Sequence, residues 1–98
     1  MPEEAVVYQR RIVVASRVGL HARPAGLVAQ TAAAQPAKVR IAKVSGGAVG
    51  DPVDAGSVLS LMTLGAAHGD EVELSADGAQ ARESVDVLVE LIAKDLDA

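Results

Sequence analysis

The chain has no cysteine, no tryptophan and no phenylalanine, and Tyr8 is its only aromatic residue in 98. Each absence removes a class of function. Without cysteine there is no disulfide framework, no thiol nucleophile and no thiolate metal site. With a single tyrosine, no base-stacking platform and no aromatic sugar subsite is expected. Basic charge is also short. Thirteen acidic residues against nine basic ones leave a net charge of −4. Binding to nucleic acid, which needs clustered Lys and Arg to neutralise phosphates, is therefore not expected. No apolar run approaches the ~18–20 residues of a membrane span. The start, Met1-Pro2-Glu3-Glu4, is acidic where a secretory signal would be basic. A cytoplasmic, monomeric protein without membrane insertion is expected. Half the residues are hydrophobic, enough for one packed core, and the length predicts a single domain.

Residues 8–15 are rich in β-formers and predict a strand, whose apolar second half implies little free face. Gly19 marks a break. Residues 22–35 predict a helix, with Pro24 tolerated in its first turn and Leu27, Val28, Thr31 and Ala32 along one side. Val39 and Ile41 alternate with Lys38, Arg40 and Lys43, which predicts a half-buried strand. Ser45-Gly46-Gly47 predicts a turn, followed by a weak strand near Ala48-Val49 and an irregular Gly50-Asp51-Pro52. Ser57 predicts an N-cap for a short helix stopped at Gly65. Val72 and Leu74 point inward from a strand. Ala81, Val85, Leu88 and Ile92 form the apolar stripe of a last helix over 80–95. This β-α-β-β-α-β-α order predicts an α+β open-faced sandwich, with three helices on one face of a four-stranded, mostly antiparallel sheet.

Two histidines are present. His68 lies in a polar turn and reads as a solvated loop residue. His21 lies at a predicted helix start, where unpaired N–H groups and the dipole favour an anion. Arg23 adds a guanidinium fork suited to phosphate oxygens. Pro24 stiffens the first turn and holds the amides of Ala22 and Arg23 in place. Histidine is a covalent nucleophile, and phosphoryl transfer depends on positioning and charge stabilisation. Ala22 and Arg23 are the expected phosphate-binding backbone.

The segment Gly19-Leu20-His21-Ala22-Arg23-Pro24-Ala25 resembles the active-centre signature of the HPr family, the histidine-containing phosphocarriers of the phosphoenolpyruvate:sugar phosphotransferase system. Residues 54–65, from Asp54 through Ser57 to Gly65, resemble that family's second characteristic segment. The resemblance runs from about Gln9 to Leu96, with residues 1–8 as an N-terminal extension and 9–98 as the domain. It implies that His21 accepts a phosphoryl group on Nδ1 from phosphorylated enzyme I and donates it to IIA units of sugar permeases. It implies a phosphate-stabilising role for Arg23. It also implies a serine at Ser57 that a dedicated kinase and phosphatase act on in some bacteria. No cofactor and no metal are implied. The chain is then a carrier with a covalent intermediate rather than an independent enzyme.

Val58, Leu59, Leu61 and Met62 crowd four apolar residues into a short helix, and part of the set is expected to be exposed beside His21 as a partner-docking patch. Two positions depart from the family. Val18 stands where relatives commonly carry a small polar residue that orients the ring, a role left to Ser16 or a backbone group. Gly56 stands where a lysine is common. The alternative functions are a paralogue serving a dihydroxyacetone kinase, fructose-specific or nitrogen-regulatory relay, and a non-catalytic module signalling through Ser57 alone.

Overall fold

The computed structural model describes residues 7–96. The elements run β1 (Val7–Val13), α1 (Ala22–Ala33), β2 (Arg40–Ser45), β3 (Ala48–Val49), β4 (Val53–Asp54), α2 (Val58–Leu64), β5 (Glu71–Asp77) and α3 (Ala81–Ile92). The sheet is antiparallel in every pairing. β5 lies between β1 and β2, and β3 and β4 both pair with the other side of β2. The architecture is the expected α+β sandwich with three helices and one open sheet face.

The expected single weak strand after β2 is two short strands. Gly46 and Gly47, at φ 59° and 85°, make the two-residue turn that returns β3 onto β2. Pro52 has no N–H to give a ladder, so pairing lapses there and resumes at Val53 opposite Ile41.

β1 differs from expectation more clearly. It is an edge strand, and Val7 and Val13 are exposed. Only alternate residues turn toward the helices: Tyr8 and Ile12 are half-buried, while Arg10 reaches Asp86 of α3 at 3.1 Å. The strand expected from Tyr8 begins one residue earlier, with Val7 paired to Asp77 and Tyr8 to Ala76, and it ends at Val13 rather than at residue 15. Residues 1–6 of the expected extension lie outside the described residues.

The core is aliphatic. Ile41, Leu61, Leu74, Leu88 and Ile92 are its largest fully buried side chains, interleaved with valines and alanines. The predicted α3 stripe, Ala81, Val85, Leu88 and Ile92, is buried throughout. The buried side of α1 is instead Pro24, Ala25, Val28, Ala29 and Ala32, with Leu27 and Thr31 only half-buried. No helix among the described residues is long and apolar enough to cross a membrane.

Asp86 ties β1 to α3. Its Oδ1 accepts from the Tyr8 hydroxyl at 2.8 Å and from Arg10 at 3.1 Å. The Tyr8 hydrogen bond, with Arg10 adding to it against partial desolvation, holds this carboxyl below the usual carboxylate range. A carboxyl with a depressed native pKa stabilises the fold above its unfolded pKa of about 3.9, and that contribution fades as pH falls through the native value. Asp86→Asn is therefore expected to lower the urea midpoint at neutral pH. The gap to wild type should close in acid; a gap of equal size at both pH values would contradict this.

Candidate functional site

His21 is the N-cap of α1, in extended backbone at φ −141° and ψ 159°. Its side chain makes no capping hydrogen bond and is exposed. The next residue, Ala22, has φ 50°. An alanine in this left-handed region costs about 1–2 kcal/mol and persists only where both flanks are fixed. Here both are. Downstream, Pro24 and Ala25 are buried against the core. Upstream, Gly19 at φ 74° presses on the loop after α2 so closely that an added Cβ would sit 2.5 Å from the Ala66 carbonyl oxygen. Leu20 donates its N–H to that same oxygen at 3.0 Å.

The loop that supports Gly19 is itself braced. Asp70 Oδ2 accepts the Ala67 N–H at 2.9 Å and lies 3.5 Å from Lys43 Nζ, which also donates to the Gly65 carbonyl. The Ala67 amide chiefly, helped by Lys43, holds the Asp70 carboxyl below its ordinary range.

Several donors therefore lie at the start of α1. The amides of Ala22 and Arg23 fall in the first turn, where no intrahelical acceptor is available. Pro24 contributes none. Arg23 is exposed, and among the described residues its guanidinium forms no ion pair, whereas Arg10, Arg11 and Arg17 are paired with Asp86, Glu73 and Asp95. An unengaged imidazole, two backbone donors and an unpaired guanidinium can together receive and hold a phosphoryl group.

The charge distribution supports this locally. Residues 12–50 and 55–69 contain no Asp or Glu. α1, α2 and the turn that carries His21 thus contribute no carboxylate of their own on a protein of net charge −4, and the nearest loop acid, Asp70, is engaged by the Ala67 N–H and Lys43.

The two helices run antiparallel. Gly19, before α1, abuts Ala66 and Ala67 after α2, while Gly56, before α2, faces Ala33 at the end of α1. Ser57 caps α2 as expected, accepting the Ser60 N–H at 3.2 Å, and Gly65 ends the helix at φ 73°. Ser57 therefore sits at the opposite end of α1 from His21, about 18 Å away for a 12-residue helix. A side chain at Gly56 would be tight, 3.2 Å from Asp54 Oδ1, which accepts the Gly56 N–H.

Leu59 is 75% exposed, and Val58 and Met62 are also exposed. Leu61 is 0% exposed and leaves the expected docking set, because one face of α2 must close the core. Val18 is 53% exposed on the His21 loop. Ser16 does not stand in for a ring-orienting group, since its hydroxyl engages Lys94 and Leu96 instead. His68 is exposed in the loop before β5, as expected. The strained Ala22 and the Asp70–Lys43 brace have no counterpart in the sequence reading. Among the described residues, no group of His, Asp or Glu is placed to hold a metal ion.

The chain is similar to known proteins over most of its length. A family model described as the PTS HPr component phosphorylation site matches residues 8–94. The chain is 39% identical over 89 residues to the phosphocarrier protein HPr of Streptomyces coelicolor, covering 91% of each chain. It is 34% identical to the HPr of Vibrio cholerae, covering 88% of this chain and 95% of that one. Its fold superposes on the crystal structure of a phosphocarrier protein HPr from Bacillus anthracis with a TM-score of 0.77 at 30% identity, covering 88% and 96% of the two chains. A histidine at a helix start, an unpaired arginine two residues on, and a match spanning nearly the whole domain agree: this chain belongs to the HPr family of phosphocarriers of the phosphotransferase system.

Proposed function

We propose that this chain carries a phosphoryl group on His21 Nδ1, taken from phosphorylated enzyme I and passed to IIA units of sugar permeases in the cytoplasm. The observation that carries this reading is the exposed N-cap imidazole of His21, free of capping bonds, beside the unpaired Arg23. The Nδ1 lone pair attacks phosphorus as the donor's P–N bond breaks. The departing electron pair stays with the donor nitrogen, which gains a proton while His21 loses one. The Ala22 and Arg23 amides and the Arg23 guanidinium stabilise charge on the equatorial oxygens. The second transfer runs the same way toward the acceptor histidine.

Val58, Leu59 and Met62 supply the docking face in this reading, and Met62 suits a surface that fits several partners in turn. A phosphate on Ser57 lies too far to touch His21. It would act by placing negative charge beside Val58 and Leu59, where it repels acidic partner surfaces.

Incubation with enzyme I and phosphoenolpyruvate should add one acid-labile phosphate, read by mass spectrometry before and after acid treatment. An acid-stable adduct, or none, would contradict the reading. Arg23→Ala should slow transfer by roughly 10-fold or more, with an unchanged melting temperature, because one charge-stabilising group at an exposed site is lost.

Leu59 and Leu61 separate docking from folding. Leu59→Ser should leave stability within about 0.5 kcal/mol and raise KM for phosphorylated enzyme I. Leu61→Ala should cost about 2–5 kcal/mol of stability in urea titrations. The reverse pattern would place the docking face elsewhere.

A further inference from the structure

We propose that Ser16 is a positioning residue for the His21 loop, acting through the segment that follows α3. Among the described residues, the buried polar side chains are Ser16 and Ser84. Ser84 Oγ accepts the Ala37 N–H at 3.2 Å, joining α3 to the approach to β2. Ser16, 1% exposed, accepts the Leu96 N–H at 3.0 Å and donates to the Lys94 carbonyl at 3.4 Å. Its neighbours hold the same segment. The Ala15 N–H donates to the Ile92 carbonyl at 3.2 Å, and Arg17 Nε lies 3.3 Å from Asp95 Oδ2. Three consecutive residues thus grip residues 92–96.

The main chain of Ser16 carries this grip into the site. Its carbonyl accepts the Gly19 N–H at 2.9 Å. That bond closes a four-residue turn with Ser first and Gly fourth, both favoured there. Gly19 rests on Ala66 and Ala67, and His21 follows two residues later. The turn is therefore held at both ends: on the 92–96 segment by Ser16, and on the 66–67 loop by Gly19. Losing the Ser16 hydroxyl would remove the central contact of that grip and leave the half-buried Leu96 N–H without its acceptor. A small displacement of the nucleophile is enough to slow transfer.

The kinetic arm of the test rests on the phosphocarrier reading; the exchange arm does not. Wild type, Ser16→Ala and Leu96→Pro are compared as full chains. Leu96→Pro removes the same hydrogen bond from the donor side. Amide hydrogen exchange is followed at Gly19 and Leu20, and at Ile41 and Leu74 in the sheet centre. Both variants should speed exchange at Gly19 and Leu20 by roughly 5- to 10-fold more than at Ile41 and Leu74, and the double variant should add nothing further. With phosphorylated enzyme I, kcat should fall several-fold at unchanged KM, because the docking face lies on α2. Equal acceleration in loop and sheet, unaltered exchange, or a change confined to KM would overturn the proposal. A wild-type chain that takes no phosphate would overturn the phosphocarrier reading instead, and the exchange result would still decide the role of Ser16.

Discussion

His21→Ala is expected to take up no phosphate from phosphorylated enzyme I while folding as well as wild type. The imidazole is exposed and makes no capping bond, so its removal leaves no buried group unpaired and no cavity. A surface change of this kind shifts stability by no more than about 0.5 kcal/mol. The loss of phosphorylation should nonetheless be complete. His68 lies on the loop before β5 with no residue of the Arg23 kind in its turn, and the Ser57 hydroxyl is at the far end of α1, capping α2. Phosphate retained in the variant would mean that the acceptor is another residue. A variant that failed to fold would mean that the ring does structural work the geometry does not show.

Gly19→Ala is expected to damage both fold and transfer. The new Cβ would meet the Ala66 carbonyl oxygen at 2.5 Å and the Ala67 Cα at 2.9 Å. Both are backbone atoms and cannot rotate away. The residue would also have to hold φ 74°, which costs an alanine about 1–2 kcal/mol. With the displacement added, the loss should reach about 2–4 kcal/mol, a large share of a small domain's stability. Leu20 bonds to the same Ala66 oxygen, so the shift passes directly to His21. Transfer should fall by roughly 10- to 100-fold. Gly26→Ala is the control. It lies inside α1 with open space around its Cβ, and the change should stabilise the protein by about 0.5–1 kcal/mol. Urea titrations and transfer rates on the two variants check both numbers. Wild-type stability and rate in Gly19→Ala would show that the loop does not depend on this contact.

What the sequence made legible follows from the range of each interaction. The α3 stripe was legible because periodicity is local, and Ala81, Val85, Leu88 and Ile92 are buried where the spacing puts them. The Ser57 cap and the Gly65 stop were legible for the same reason. The burial of β1 was not. Val13 faces solvent because it alternates onto the sheet face that no helix covers, on an edge strand whose pairings lie 58 and more residues away in the chain. Four apolar residues in α2 implied that some are exposed, but only the packed core shows that Leu61 is inside and Leu59 outside.

The site divides in the same way. His21, Arg23 and the helix start were readable from seven consecutive residues. The left-handed Ala22 was not, because alanine carries no signal for positive φ. The Ser16–Leu96 bond joins residues 80 apart, and the Lys43–Asp70 brace joins residues from β2 and the loop before β5. Neither leaves a local pattern. Composition gave the broad exclusion and the structure narrowed it. The net charge of −4 disfavours anions over the whole molecule, yet α1 and α2 contribute no carboxylate, and among the described residues Arg23 forms no ion pair.

A phosphoryl group on one ring nitrogen of His21 would be seen by nitrogen and phosphorus NMR on the labelled chain after incubation with enzyme I and phosphoenolpyruvate. The expected spectrum shows a single phosphoramidate with phosphorus coupled to Nδ1 of His21. Phosphate on any other residue, or a chain left unmodified by active enzyme I, would contradict it.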